Sequence, residues 1–136
     1  MKNVAYFLTP KSNVAFLYDD FTIRQGLEKM RFHGYSAIPV INRDGKYICT
    51  VRDGDFLEYV LSDEYKENQG HAPLKDILKT DKSSPVRIMA SIDDLLTHAC
   101  TQNFVPVIDD SDIFVGIVTR RAIITNLKVD IENKKD

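Results

Sequence analysis

Thr119-Arg120-Arg121 is the stretch of this chain whose residue types speak most directly to chemistry. Two adjacent arginines at a helix start suit a phosphate group: guanidinium forks bond its oxygens in pairs, and the helix end adds N–H donors. The competing reading is a solvated pair on a surface helix. Other polar residues point away from catalysis. Asp19-Asp20, Asp93-Asp94 and Asp109-Asp110 fall in turns or helix starts, where capping explains them better than paired-acid chemistry. His33, His71 and His98 share no ligand spacing with one another or with Cys49 and Cys100, which argues against zinc. Both cysteines sit in apolar patterns and read as reduced, buried thiols. No Ser-His-Asp or Cys-His arrangement, phosphate-loop motif or dinucleotide fingerprint occurs. The chain is therefore expected to bind rather than to catalyse.

What must position these residues is a fold that the chain spells twice. Ile38-Pro39-Val40-Ile41 followed by Tyr47 to Val51 recurs as Val105-Pro106-Val107-Ile108 followed by Phe114 to Val118. Pro39 and Pro106, Cys49 and Gly116, and Asp55 and Ala122 are each 67 residues apart. The first copy predicts a strand over Val14 to Leu17, then a helix over Ile23 to Phe32, capped by Asp20 or Thr22 and stopped by Gly34. A hairpin turning at Asn42 to Gly45 and a helix over Phe56 to Leu61 complete it. The second copy repeats the order, with Ser91 or Asp93 as cap and a last helix over Ala122 to Leu127. Short amphipathic elements, Val4 to Thr9 and Leu74 to Lys79, lead into each copy. Only two copies exist, too few for an open array, so an α+β fold is expected, two β-α-β-β-α repeats around a pseudo-twofold axis. The boundaries follow: first repeat with lead-in at 1–61, connection at 62–73, second repeat at 74–128, disordered tail at 129–136.

Composition narrows the class further. A hydrophobic fraction of 43% over 136 residues can bury a core as one domain or two small lobes. The formal net charge of −2 gives no broad attraction to nucleic acid. No apolar run approaches the roughly 18 residues of a membrane span and no signal-peptide pattern opens the chain, so a cytoplasmic protein without a membrane partner is expected.

Gly34-Tyr35-Ser36-Ala37-Ile38-Pro39-Val40-Ile41 with Asp44-Gly45, and Phe104-Val105-Pro106-Val107-Ile108-Asp109 with Gly116-Ile117-Val118-Thr119, resemble a tandem pair of CBS domains, a Bateman module, over almost the whole chain. The resemblance implies two adenine-nucleotide pockets between the repeats, where a hydroxyl residue and an aspartate grip phosphate and ribose. Pocket one then comprises Asn13, Val14, Ala15, Ser36, Ala37 and Ile38, facing Thr119, Arg120 and Arg121, with Ala122 in the place of the ribose aspartate. Pocket two comprises Val86, Arg87, Asn103 and Phe104, facing Arg52, Asp53 and Asp55, with Arg52 in the place of the hydroxyl residue. The pattern around Thr119-Arg120-Arg121 is also similar to stand-alone CBS proteins of Gram-positive bacteria that are receptors for cyclic di-AMP, although Asn13 stands where a basic residue is expected in that group. The expectation is a non-enzymatic, homodimeric ligand sensor that modulates a partner protein, binding cyclic di-AMP ahead of other adenine nucleotides. The alternatives are an AMP-, ADP- or ATP-binding module centred on Asp55, and a ligand-free dimeric interaction scaffold.

Overall fold

The structure is a computed structural model that describes residues 3–79 and 84–134. In chain order the elements begin with β1 (Thr9–Pro10), β2 (Leu17–Tyr18), α1 (Ile23–His33), β3 (Ala37–Ile41), β4 (Tyr47–Arg52), α2 (Asp53–Val60) and α3 (Asp63–Asn68). They continue as β5 (Val86–Arg87), α4 (Ile92–Ala99), β6 (Phe104–Ile108), β7 (Phe114–Thr119) and α5 (Arg120–Lys134). The elements gather into two units, Ala15–Ser83 on the one hand and Met1–Val14 with Ser84–Asp136 on the other.

In the first unit β2 runs parallel to β3, pairing Leu17 with Val40, and β3 forms an antiparallel hairpin with β4. The alternating inward residues Ile38, Val40, Cys49 and Val51 pack with Leu17, Ile23, Met30, Phe56 and Leu74 into one buried cluster. Each fully buried aliphatic side chain contributes about 1.5–3 kcal/mol. α1 starts where expected because Thr22 builds a capping box: its hydroxyl accepts from the Gln25 N–H, and Gln25 Oε1 accepts from the Thr22 N–H. Gly34, at φ 68°, ends it.

The second unit repeats this plan. β5 is parallel to β6, pairing Val86 with Val107, and β6 is antiparallel to β7. Pro39 lies opposite Thr50 and Pro106 opposite Ile117, and each hairpin shifts register at the matching place, Val40/Ile41 and Val107/Ile108. The predicted equivalence of the two prolines therefore holds. Val86, Leu95, Val105, Val107, Val118 and Ile123 form the core.

Five features differ from the sequence expectation. The strand expected over Val14 to Leu17 is shorter and displaced, Leu17–Tyr18, which leaves Val14 and Ala15 outside it, and a strand not foreseen, β1, pairs with β7. The segment 62–73, read as plain connection, contains α3: Ser62 precedes two acids that favour a helix N-terminus, and Tyr65 packs edge-on to Tyr59. α5 runs on to Lys134, because nothing after Leu127 is a glycine or proline; of the tail expected to be disordered, Lys135 and Asp136 lie outside the described residues. Finally, the lead-ins change sides. Val4 and Phe7 are buried in the second repeat's core, and Leu74 is buried in the first repeat's core.

Candidate functional site

The phosphate-suited residues lie where β7 passes into α5. The Thr119 hydroxyl accepts from the Ala122 N–H at 3.0 Å and so caps the helix, which leaves its own proton available to donate. Arg121 is exposed and, among the described residues, has neither an ion-pair nor a hydrogen-bond partner. Arg120 is different. Its Nε donates to the Ala99 carbonyl at 2.7 Å, Nη2 to the Cys100 carbonyl at 3.0 Å and Nη1 to Asn103 Oδ1 at 3.3 Å. Two of these bonds hold the end of α4 and the third holds Asn103 just before β6, so of the expected arginine pair only Arg121 offers an open guanidinium. Asn13 is exposed at the end of the short helical turn Lys11–Asn13; it and Val14 belong to the same unit as Thr119, and not to that of Ala15.

In the other unit Ser36 leads into β3, which Ala37 and Ile38 open, and Ala15 lies two residues before β2. The Asp53 N–H donates to the Ser36 carbonyl at 2.9 Å, and Ala37 lies opposite Arg52, so both sets of residues assigned to this unit share one edge. Lys29, not anticipated from sequence, donates from Nζ to the Phe16 carbonyl at 2.6 Å and sits 5.1 Å from the Phe16 ring centre, fixing the residue after Ala15. Burial lowers its pKa below the usual lysine value. Tyr35, half-exposed, stacks on His33 with ring centres 5.3 Å apart.

Asp55 is already committed. Its carboxylate accepts from the Arg52 N–H at 2.9 Å and pairs with Lys79 Nζ at 3.5 Å, within a cavity of about 250 Å³ that Glu58, Tyr59 and Asp76 also line. Lys79 bonds Glu58 too, at 3.1 Å, which raises its pKa. Of the remaining expected residues, Arg87 is held by Asp112 and the Asp109 carbonyl, the Asn103 carbonyl accepts from the Arg120 N–H, and Phe104 is half-buried at the start of β6. Cys49 is buried as expected, and burial pushes its thiol up to about 12; Cys100, expected buried, is instead exposed where α4 ends. Among the described residues no His/Cys/Asp/Glu cluster could hold a metal ion, and no helix is long and apolar enough to cross a membrane.

The repeat geometry matches a known pattern. The model of the CBS domain fits residues 4–62 and again 71–129. The chain belongs to the CBS-domain family. CBS domains are generally regulatory modules rather than catalysts. No curated protein sequence matches this CBS pair. Among solved structures it resembles CbpB in complex with cyclic di-AMP, at 22% identity and TM-score 0.86 over 99% of this chain and 90% of that one. Listeria monocytogenes CbpB in complex with cyclic di-AMP gives 22% identity and TM-score 0.83 over 95% of this chain and 97% of that one. CBSX2 in complex with AMP gives 21% and 0.76, over 96% and 99%. At these identities the likeness establishes the fold.

Proposed function

We propose that this CBS pair is a cytoplasmic regulatory sensor of an adenine nucleotide, with cyclic di-AMP preferred, and that ligand occupancy changes how it engages a partner protein. The observation that carries this reading is the open Arg121 guanidinium, two residues after the Thr119 hydroxyl, at the N-terminal end of a fifteen-residue helix. Both groups suit phosphate oxygen. Ala122 stands where a ribose carboxylate is expected, which disfavours a mononucleotide there. The small side chains Ala15, Ser36 and Ala37 suit the flat face of a purine, whereas the expected Ile38 is packed inside the first core and offers no side-chain surface. The complexes named for CbpB and CBSX2 support an adenine-containing ligand.

A second reading, AMP or ATP at Asp55, is less favoured because that carboxylate is already engaged by the Arg52 N–H and Lys79. Calorimetry with cyclic di-AMP, AMP and ATP separates the two. Arg121→Ala should weaken cyclic di-AMP binding about 10- to 150-fold, the loss of a charge-assisted contact of about 1.5–3 kcal/mol. Asp55→Ala should leave it nearly unchanged. AMP binding that Asp55→Ala abolishes, with no heat from cyclic di-AMP, reverses the ranking. Absence of binding by any nucleotide leaves a dimeric interaction scaffold.

We further propose a homodimer, supported by the exposed apolar residues Leu57, Leu61, Ile124 and Leu127 on the last helix of each repeat or just past it. Light scattering at tens of micromolar checks it, and a monomer with and without nucleotide contradicts it.

A further inference from the structure

The two repeats end their first helix in different ways, and the difference lands beside Arg121. α1 stops at Gly34 in the left-handed conformation, with the Gly34 and Tyr35 N–H groups returning to the Arg31 and Met30 carbonyls. The equivalent of Gly34, 67 positions later, is Thr101. A β-branched residue disfavours that backbone, and Thr101 does not adopt positive φ. α4 ends without that turn: the Thr101 N–H closes back on the His98 carbonyl, and the last two carbonyls, of Ala99 and Cys100, accept from the Arg120 guanidinium, with Asn103 Oδ1 closing the set. Arg120 occupies the place that Asp53 takes in the first repeat, where an acid offers no such donor. Glycine with aspartate in one repeat has become threonine with arginine in the other.

We infer that Arg120 is a positioning residue: it ties the first turn of α5 to the end of α4 and so fixes Thr119 and Arg121 on either side of it for phosphate. This rests on the nucleotide reading above for its ligand, though the tether itself does not depend on it. Arg120 sits between the two residues it aligns, so loosening it tilts both. The tie has a backbone component as well, from the Arg120 N–H to the Asn103 carbonyl at 3.2 Å, which a side-chain substitution leaves in place.

Four variants separate positioning from direct phosphate contact and from simple helix capping. Arg120→Ala and Arg120→Lys should weaken cyclic di-AMP binding alike, by about tenfold, because lysine keeps the charge but cannot fork across three acceptors. In an Arg121→Ala background the further loss from Arg120→Ala should nearly vanish. Adding Thr101→Gly to Arg120→Ala should recover melting temperature, since a glycine can end α4, yet leave affinity low because the tie to α5 is still absent. Affinity retained by Arg120→Lys, or losses that add fully with Arg121→Ala, overturns the inference in favour of direct contact. Affinity recovered together with melting temperature reduces Arg120 to a cap. A ligand-free reading keeps the case decidable if no nucleotide binds and the functional proposal falls: in ¹⁵N spectra the Arg120 Nε–H should exchange with water much more slowly than that of Arg121. Equal exchange rates overturn the tether whatever the ligand.

Discussion

Gly116 and Cys49 hold the same place in the two hairpins, opposite Val107 and Val40, yet only one of them has room for a side chain. β1 crosses beside β7, and a Cβ on Gly116 would lie 2.2 Å from the Thr9 carbonyl oxygen, with φ already at +155°. Among the described residues β4 has no strand pairing on that side, and Cys49 keeps its side chain in the core. Gly116→Ala should therefore lower stability by about 2–4 kcal/mol in denaturant unfolding, overpacking and backbone strain together. Gly54→Ala is the matched control: beyond its chain neighbours and its own helix backbone nothing lies within 4 Å of its Cβ position, and a gain of up to about 1 kcal/mol is expected in α2. The thiols make a second test. Cys100 should react with a thiol reagent at once and Cys49 only on unfolding. Because burial raises the Cys49 pKa from 9.0 to about 12, the unfolded chain loses its proton first, so stability should fall as pH rises across that window. The sequence showed Gly116 as a break in an apolar run; the need for it comes from β1, two residues too short to leave a pattern.

Hydroxyl-capped helix starts were the most readable part of the elements. Thr22 and Ser91 both cap as expected, the Ser91 hydroxyl accepting from the Asp94 N–H at 3.1 Å. Thr22→Ala and Ser91→Ala should each cost about 1 kcal/mol by thermal or urea unfolding, with the m-value unchanged. Ties between elements were not readable, because they join residues that no local spacing links. In the first repeat the hairpin turn reaches out: Arg43 bonds Asp20 at 2.7 and 2.9 Å and covers the Tyr18 ring at 3.8 Å. In the second the direction is reversed, Arg87 on β5 reaching the turn at Asp112. The Arg43 hydrogen bond depresses the Asp20 pKa, so whatever this exposed pair contributes is present above the usual aspartate range and fades as pH falls through the lowered value. Arg120 escaped the sequence reading in the same way; the absence of a glycine at Thr101 was the available signal.

The 67-residue period made the duplicated architecture legible, and with it the family, because matched prolines and turns recur in register over both copies. The partition of the chain was not legible. The lead-ins are single helical turns with too few residues for periodicity to say which core they cover. Residues 15–83 hold the whole first core in one continuous stretch, including Leu74, and should unfold cooperatively as an isolated fragment; a fragment ending at 61 should not. The second core is assembled from two pieces of chain, since Val4 and Phe7 arrive from the far end of the sequence. A protease that nicks the exposed backbone near His71 would thus leave two polypeptides threaded through each other's interiors, Val4 and Phe7 of the first held by the second and Leu74 of the second held by the first. They should run as two bands in denaturant and elute as one particle without it.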